Sequence, residues 1–403
     1  MSDLFWPGAE RADGLLDDDA LLAAMVAVEQ AWLDALTGSG VAPASGDVSL
    51  ATLVGSADVE ALSRGAEAGG NPVIGLVALL RERADEPVAT WVHRGLTSQD
   101  VLDTAIVLCV RDALARVDLD LRAQLEQLAD LAERHRDDPM VGRTLTQHAV
   151  PLTVGVKIAT WLTVLADAWD EVDSARGRLA VQVGGAAGTL AAPVELSGST
   201  AGALDLVRRC AAALDLPATT PWHTSRSLVT RVGDALTTCT DAWGRIGADV
   251  ATLSRPEIGE LAEGAGGGSS TMPHKSNPVL SVLLRRAALT APALASTLHL
   301  AAATNVDERP DGAWHAEWST LQLLGRRTVV AAGQATDLLR GLHLDTDRMA
   351  AHLGAAEGVD AEQRSMTALT GRRPVASAYT GAAGELTDAA IDRARSIARG
   401  DDA

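Results

Sequence analysis

The segment 264–278 carries the residue types of an anion-binding loop. Its sequence is G-A-G-G-G-S-S-T-M-P-H-K-S-N-P, and four of its first five residues are glycines. Glycines leave the backbone flexible, and this loop brings Ser269, Ser270, Lys275 and Asn277 to the start of a predicted helix. Hydroxyl, ammonium and amide groups beside a helix N-terminus together predict an anion site. A loop rich in Gly and Ser is equally well interpreted as a linker.

The chain contains only two lysines, Lys157 and Lys275, beside 32 arginines. A chain so biased toward arginine keeps a lysine by chance or where a compact ammonium is needed. Lys275 therefore strengthens the prediction of a site in the glycine-rich loop. Lys157 lies within a predicted helix, where a salt bridge and a substrate contact are equally good interpretations.

The composition predicts a folded, acidic, cytoplasmic protein. Among 403 residues, 34 Lys plus Arg stand against 53 Asp plus Glu, a formal net charge of −19. Such a surface repels phosphate backbones and anionic lipids, so we expect neither a nucleic-acid nor a membrane partner. The scattered cysteines (Cys109, Cys210 and Cys239) predict reduced thiols rather than disulfides or a metal ribbon. The longest uncharged run, 287–306, is interrupted by Pro292, and the N-terminus does not resemble a signal peptide.

Apolar periodicity predicts helix nearly throughout the chain. An early helix has Leu21, Met25, Val28, Trp32 and Leu36 on one face. The longer periodic segments cover about 100–135, 151–181, 226–255, 278–305 and 314–340. We therefore predict an all-α bundle of long helices. Its predicted parts are an N-terminal helical domain (1–99), a central long-helix bundle (100–341) and a short C-terminal helical region (342–403).

Three segments resemble the fumarase/aspartase superfamily. G-S-S-T-M-P-H-K-S-N at 268–277 is similar to the signature loop of that superfamily. H-R-G-L-T-S-Q-D at 93–100 resembles its first block, and G-R-T-L-T-Q-H-A at 142–149 resembles its second. The resemblance implies a long-helix bundle of the fumarase/aspartase type, whose tetramer core is formed by helices of four subunits. It also implies that no metal or organic cofactor is needed.

Within the superfamily, the pattern is most similar to the bacterial 3-carboxy-cis,cis-muconate cycloisomerase family. Leu145 stands where the second block of the lyases usually carries a histidine, which the cycloisomerases also lack. G-G-A-A-G-T-L at 184–190 and E-R-P-D-G-A-W-H-A-E-W at 308–318 resemble two further segments of that family. The resemblance implies an isomerase of aromatic (protocatechuate) catabolism, which closes a small anionic polycarboxylate to its lactone by proton transfer and carboxylate addition.

Superfamily enzymes move a proton at the carbon next to a carboxylate, and the resulting negative charge needs preorganised donors. Lys275 fits that duty, and the resemblance implies Ser269 as the proton-transfer residue, with Ser270 as the alternative base. His93 and His148 are alternative second proton carriers near neutral pH. The candidate substrate-binding residues are Thr97, Ser98, Gln99, Thr144, Gln147, Ser270, Met272, Asn277 and Arg309.

The spacing of the first two blocks predicts a homo-oligomer. The first block opens one predicted long helix at Asp100, and the second opens the next at Pro151. If these helices pack antiparallel, the blocks lie at opposite ends, about 50 Å apart. Neighbouring chains must then complete each site. The resemblance implies a homotetramer in which each site is built from three subunits.

The chain departs from the cycloisomerase pattern in three places. Its C-terminal region is shorter, with only 370–377 joining two segments that are further apart in family members. Arg94 and Ser227 stand where an aromatic residue and an aspartate are frequent. Two alternatives therefore stay open: a lyase that eliminates an amine or other nitrogen group from a succinyl substrate to give fumarate (adenylosuccinate lyase-like), and a catalytically silent structural homologue. Intact Ser269, Lys275 and Asn277 weigh against the silent homologue.

Overall fold

A computed structural model describes residues 3–44, 48–264, 266–268, 270–272, 274–374 and 379–400. The helices within these residues are α1 (Asp18–Gly38), α2 (Val59–Gly69), α3 (Val73–Arg83), α4 (Val88–Trp91), α5 (Ser98–Arg134), α6 (Val154–Arg176), α7 (Ala191–Ser197), α8 (Thr200–Ala213), α9 (Ser227–Leu253), α10 (Val279–Ala303), α11 (Gly312–Arg340), α12 (Thr346–Ala355), α13 (Ala361–Thr370) and α14 (Ala383–Arg399). The strands are β1 (Pro139–Thr144), β2 (Gln147–Thr153), β3 (Leu261–Ala262) and β4 (His343–Leu344).

The predicted long helices are confirmed as α5, α6, α9, α10 and α11. The longest of them, α5, has 37 residues and spans about 55 Å at 1.5 Å per residue. The early helix is α1, which begins after the N-cap Asp17, whose side chain accepts a hydrogen bond from the backbone N–H of Ala20. Its periodic face is buried, with Trp32 and Leu36 fully enclosed. The all-α prediction is therefore confirmed, with only two short two-stranded sheets among the described residues.

The second block differs from its prediction because it is a β-hairpin. Pro151 lies in β2, opposite Val141 of β1, and α6 begins only at Val154. A two-stranded ribbon consists only of edge strands, so it tolerates a proline that lacks an N–H donor. The stretch that joins β1 to α6 is extended, and the proline inside it does not mark a helix start.

The chain divides into two compact units, which we describe separately. Unit 1 comprises Met1–Arg116, Asp173–Asp234 and Ala293–Val329, and unit 2 comprises Val117–Val172, Ala235–Pro292 and Val330–Ala403. The three-domain division stays a prediction.

Unit 1 is organised around a buried ionic cluster. Arg226, just before α9, donates to Asp103 of α5 over 2.7 and 3.1 Å. It also donates to Glu317 of α11, with a shortest distance of 2.5 Å. Trp314 of α11 donates its indole N–H to Asp103 over 2.8 Å. These bonds fix the relative positions of α5, α9 and α11 in this unit.

Unit 2 has a buried amide in its interior. Trp243 of α9 donates its indole N–H to the side-chain oxygen of Gln124 over 2.7 Å. The amide nitrogen of Gln124, on α5, donates to the backbone oxygen of Ala332 on α11 over 3.0 Å. Both the oxygen and the nitrogen of the buried amide thus have hydrogen-bond partners, and the side chain connects three helices.

Two helices, α1 and α10, are long and apolar enough to cross a membrane by length and composition alone. The apolar window of α1 is 61% buried inside the protein, whereas that of α10 is only 28% buried. A mostly buried apolar helix is what the core of a folded unit requires.

Candidate functional site

The first block and the 308–318 segment meet in unit 1. Arg309 donates a hydrogen bond from its guanidinium to the Thr97 hydroxyl over 2.7 Å. The same nitrogen donates to the backbone oxygen of Ala186 over 3.2 Å, so three of the family-like segments converge on one arginine. Ser98 follows Thr97 as the first residue of α5. This arrangement presents a fixed, exposed cation beside hydroxyl groups, which suits a carboxylate ligand.

Asp100 connects the first block to the 184–190 segment. Its carboxylate accepts backbone hydrogen bonds from Thr97, Gly184 and Gly185 over 2.8–3.1 Å, and a further one from the side chain of Gln182. Burial raises the pKa of Asp100 to about 6, although these hydrogen bonds oppose the shift. Gly185 has a φ of 69°, a left-handed conformation that favours glycine. Asp100 thus shapes the backbone around the candidate arginine.

Gln99 is buried, in contrast to its neighbours Thr97 and Ser98. Its side-chain nitrogen donates to Asp103 over 3.1 Å and to the backbone oxygen of His223 over 2.8 Å. Only 1% of the residue is exposed. The amide nitrogen therefore holds the loop before α9, and the role of Gln99 as a substrate contact stays a prediction.

His223 is a candidate that the sequence reasoning did not assign. Its Nδ1 is buried and has no hydrogen-bond partner among the described residues. Burial lowers the pKa of His223, and the positive charge of Arg309 lowers it further. The imidazole packs on Gly188, where any Cβ would overlap the ring. A neutral imidazole therefore lies in the neighbourhood of the candidate arginine.

His93 pairs with a carboxylate from α1. Its Nδ1 lies 2.7 Å from the Oε1 of Glu29, and Glu29 is fully buried. His93 has a φ of 64°, in the left-handed region that non-glycine residues rarely adopt. Glu29 was not predicted, although a charged residue on the apolar face of α1 is the signal that could have revealed it.

The second block presents its candidates at the tip of the β1–β2 hairpin in unit 2. Thr144, Gln147 and His148 are exposed, and Thr144 pairs with Gln147 across the ribbon. The two tip residues, Leu145 and Thr146, have φ values of 48° and 71°. A two-residue turn with two positive φ values usually contains glycine or asparagine. The strained tip therefore places exposed side chains where a ligand or another chain can reach them.

The side chain of Arg143, within this block, has a structural role. Its guanidinium donates to both oxygens of the buried Glu260, over 2.6 and 2.9 Å. His352 of α12 lies 2.6 Å from Glu260 through its Nδ1. Burial by itself would raise the pKa of Glu260, but the hydrogen bonds from Arg143 and His352 lower it below its ordinary value. The pair fixes the hairpin against the rest of unit 2.

The glycine-rich loop also belongs to unit 2, and Ser269 lies outside the described residues. Gly267 and Asn277 exchange two backbone hydrogen bonds over 2.8 and 2.9 Å, which closes the base of the loop. The side-chain nitrogen of Asn277 donates to the backbone oxygen of Gly268 over 3.3 Å. Ser270, Met272 and Lys275 are exposed along it.

The N-terminus of α10 is occupied by a carboxylate of the same chain. Glu263 accepts from the backbone N–H groups of Leu280 and Ser281 over 3.1 and 2.7 Å, and from the Ser281 hydroxyl over 2.6 Å. These N–H groups are the donors that a bound anion would use. The helix terminus expected to contribute to anion binding is therefore already capped, which leaves the loop side chains for that task.

Lys157 forms a salt bridge, one of its two predicted interpretations. Its Nζ lies 2.8 Å from Asp249 of α9, which also accepts the indole N–H of Trp161 over 2.8 Å. Burial would raise the pKa of Asp249, but the charge of Lys157 keeps it below its usual value. Lys275 is therefore the lysine that stays available for chemistry.

The predicted site residues fall into two groups, one in each unit. Unit 1 contains His93, Thr97, Ser98, Gln99 and Arg309. Unit 2 contains the hairpin tip and the glycine-rich loop, with Thr144, Gln147, His148, Ser270, Met272, Lys275 and Asn277. Within the described part of the chain, no cluster of three His, Cys, Asp or Glu side chains could hold a metal ion.

Comparison with known proteins places the chain in a family. The Lyase_1 family model, described as "Lyase", matches residues 60–292. The chain is 42% identical over 396 residues to nitrosuccinate lyase of Streptomyces davaonensis, covering 93% of this chain and 82% of that protein. It is also 42% identical over 356 residues to 3-carboxy-cis,cis-muconate cycloisomerase of Pseudomonas aeruginosa, covering 87% and 74%.

This chain is also similar to a solved structure. The 3-carboxy-cis,cis-muconate lactonizing enzyme from Pseudomonas putida superimposes with a TM-score of 0.79 at 30% identity, covering 94% of this chain and 96% of that one. The match extends over the long helices and both groups of candidate residues. The chain therefore belongs to the Lyase_1 family of the fumarase/aspartase superfamily.

Proposed function

We propose that the protein is an enzyme that cyclises 3-carboxy-cis,cis-muconate to its lactone. The observation that carries the proposal is Leu145 at the exposed hairpin tip, where elimination lyases usually carry a histidine. Leucine cannot exchange a proton, so this position of the hairpin contributes shape rather than an acid or base. Several relatives named as 3-carboxy-cis,cis-muconate cycloisomerases support the same function.

The proposed reaction consumes one proton. An oxygen of one substrate carboxylate forms the new C–O bond at a double bond, and the π electron pair moves to the neighbouring carbon and its carboxylate. Lys275 and Asn277 stabilise the extra negative charge on those oxygens. The carbon then takes a proton from the hydroxyl of Ser269, or of Ser270 in the alternative assignment. A second carrier returns a proton from water to the serine.

The remaining carboxylates of this tricarboxylate need cationic and hydroxyl partners. Arg309 and Thr97 offer such a pair in unit 1, since the hydrogen bond between them orients the guanidinium. Thr144 and Gln147 offer further donors at the hairpin tip. A local cluster of this kind is necessary because the net charge of −19 otherwise repels the substrate.

We propose that the enzyme is a cytoplasmic homotetramer whose sites are shared between subunits. Support comes from α10, where Val282, Leu289 and Leu300 are 54%, 80% and 64% exposed. Their spacing of seven and eleven residues places them on one helix face, and an exposed apolar face of this kind is typical of a subunit interface. Sedimentation should give a tetramer, and a fully active monomer would contradict this proposal.

A second candidate function is elimination of nitrite from a nitrosuccinate-like substrate to leave fumarate. The observation that favours it is the likeness to nitrosuccinate lyase, which extends over 93% of this chain. In that reaction a base takes the proton next to one carboxylate, the C–N bond breaks, and nitrite leaves with the bonding electron pair. The same loop lysine and serine would serve, so the two functions differ in the substrate rather than in the machinery.

Direct assays separate the two functions. Turnover of 3-carboxymuconate is followed by the loss of its conjugated-diene absorbance, and turnover of nitrosuccinate by the appearance of fumarate and nitrite. We expect the higher kcat/KM for 3-carboxymuconate. A preference for nitrosuccinate would replace the first proposal with the second, and inactivity on both would favour the silent homologue.

Two serine variants test the assignment of the base. Ser269→Ala should lower kcat on the active substrate by at least about 10²-fold, the contribution typical of a positioned proton-transfer group. Ser270→Ala is the matched control and should keep most of the activity. The reverse pattern would assign Ser270 as the base, and full activity in both variants would overturn the mechanism.

A further inference from the structure

The pair formed by His93 and Glu29 is built into the interior of unit 1. Glu29 lies on α1 and is fully buried. Its Oε1 is 2.7 Å from the Nδ1 of His93, while its Oε2 is buried without a hydrogen-bond partner among the described residues. The His93 side chain is 17% exposed. The carboxylate is therefore enclosed, and the imidazole beside it reaches solvent.

A buried carboxylate is costly, so the position of Glu29 requires a reason. An ionised group without full hydrogen bonding loses several kcal/mol of hydration. The apolar neighbours of Glu29 on α1, Val28 and Trp32, show that a leucine or methionine would suit this face. Since one of its two oxygens has no partner, the imidazole supplies an interaction that the carboxylate depends on.

Few charged groups face this pair. Arg81 of α3 interacts electrostatically with both Glu29 and Arg94, and its guanidinium donates to the backbone oxygen of Val92 over 2.8 Å. The thiol of Cys210 on α8 feels the negative charges of Glu29 and Asp100, and its pKa is raised to about 12, mainly by burial. Arg81 thus interacts with the carboxylate from a distance, and His93 is its hydrogen-bonded partner.

The backbone around His93 is fixed in an unfavourable conformation. His93 has a φ of 64° and Gly95 has a φ of 91°. Trp32, one helical turn after Glu29, donates its indole N–H to the backbone oxygen of Arg94 over 2.7 Å. Residues at i and i+3 share a helix face, so α1 holds the turn at two points. Strain that is maintained in this way is commonly found at functional sites.

We propose that Glu29 is a positioning residue that holds His93 by its Nδ1 and leaves its Nε2 to return a proton to the reaction. The inference rests on the proposed function. The Nδ1–H donates to Glu29, which fixes the tautomer and orients the ring. The Nε2–H bond then breaks with its electron pair left on Nε2, the proton passes to the conjugate base that the reaction leaves, and water reprotonates the ring.

This assignment distinguishes His93 from His148. His148 is exposed on the hairpin ribbon, paired in register with Arg143. His93 combines a fixed tautomer with a buried negative charge, so it is the better second proton carrier.

A double-mutant cycle tests the positioning role through kinetics. Glu29→Met keeps the approximate side-chain volume but removes the acceptor. It should lower kcat at least about tenfold, which is part of the 10²–10⁴-fold contribution of a positioned proton carrier, with KM changed less than about twofold. Glu29→Gln retains an acceptor oxygen and should recover part of kcat. In the His93→Gln background, Glu29→Met should have no further effect on kcat, whereas independent, additive losses would overturn the proposal.

A spectroscopic measurement tests the same contact without any substrate. In full-length protein labelled with ¹⁵N-histidine, His93→Gln identifies the hydrogen-bonded Nδ1–H resonance of His93. That resonance should disappear in Glu29→Met and persist in Trp32→Phe, which removes only the backbone anchor. If wild-type protein is inactive on 3-carboxymuconate but shows the resonance, the proposed function fails and the pair stands. If Glu29→Met keeps the resonance, the positioning role is overturned.

Discussion

Arg309 and Thr97 are separated by 212 residues and joined by a hydrogen bond of 2.7 Å from guanidinium to hydroxyl. The bond fixes a long, flexible side chain at the start of α5. Because Arg309 is exposed beyond this contact, the hydroxyl determines where its positive charge lies. We propose that this pair recognises a substrate carboxylate in the proposed reaction.

Removal of the Thr97 hydroxyl should weaken substrate binding. Thr97→Val keeps the shape of the side chain but loses the acceptor, and a hydrogen bond to a charged group is worth about 1.5–3 kcal/mol. We expect KM to rise by about tenfold or more, measured by steady-state kinetics on the substrate that proves active. Thr97→Ser retains the hydroxyl and is the matched control. Equal KM values for the two variants would contradict the role of this bond.

The two lysines should respond oppositely to replacement by methionine. Lys157→Met breaks the salt bridge to Asp249 and should lower the free energy of unfolding by about 1 kcal/mol, with kcat and KM unchanged. Lys275→Met should lower kcat by about 10²-fold or more, the cost of losing one charge-stabilising donor, with thermal stability unchanged because the residue is exposed. Urea denaturation and steady-state kinetics check both. A large loss of kcat in Lys157→Met would restore the alternative that it contacts substrate.

The buried cluster around Arg226 should be sensitive to the loss of one member. Arg226→Met leaves Asp103 and Glu317 as two enclosed carboxylates without a guanidinium, at a cost of about 3–5 kcal/mol. Burial already raises the pKa of Glu317, with Arg226 opposing the shift. Urea denaturation at fixed protein concentration measures the loss. The triple variant Arg226→Met, Asp103→Asn, Glu317→Gln should recover part of the lost stability. A loss below about 1 kcal/mol in Arg226→Met alone would contradict a stabilising role of the cluster.

Asp100 should give the stability of the protein a recognisable pH dependence. Burial raises its pKa from 3.8 to about 6. Between these values the folded protein binds a proton that the unfolded chain has lost, so the free energy of unfolding falls as pH rises from about 4 to about 6. The contribution is about 3 kcal/mol. Asp100→Asn should remove it, so urea denaturation at pH 4.5 and pH 7 should differ less in the variant. An unchanged pH difference would mean that the Asp100 carboxylate is ionised throughout.

The sequence by itself determined the helices and most of the chemistry. Apolar periodicity is a local property, and it placed α5, α9, α10 and α11 within two residues of their bounds, whereas α6 begins at Val154 and ends at Arg176 rather than at 151 and 181. The rarity of lysine is also visible in the sequence alone, and it drew attention to Lys275. The motifs near Thr97 and Asn277 were found without knowledge of packing, from local residue types and from the family resemblance, and their role in anion binding stays a prediction.

The tertiary structure decided which polar groups remain available. Gln99 is buried against Asp103, and Glu263 caps α10, so neither the amide nitrogen nor the helix terminus is left for a ligand. Local patterns could not show this, since each partner is chosen by the way distant segments pack. Glu29 is the clearest case. Its charge on an apolar helix face is visible in the sequence, but only the folded turn 64 residues away supplies the imidazole that accounts for it.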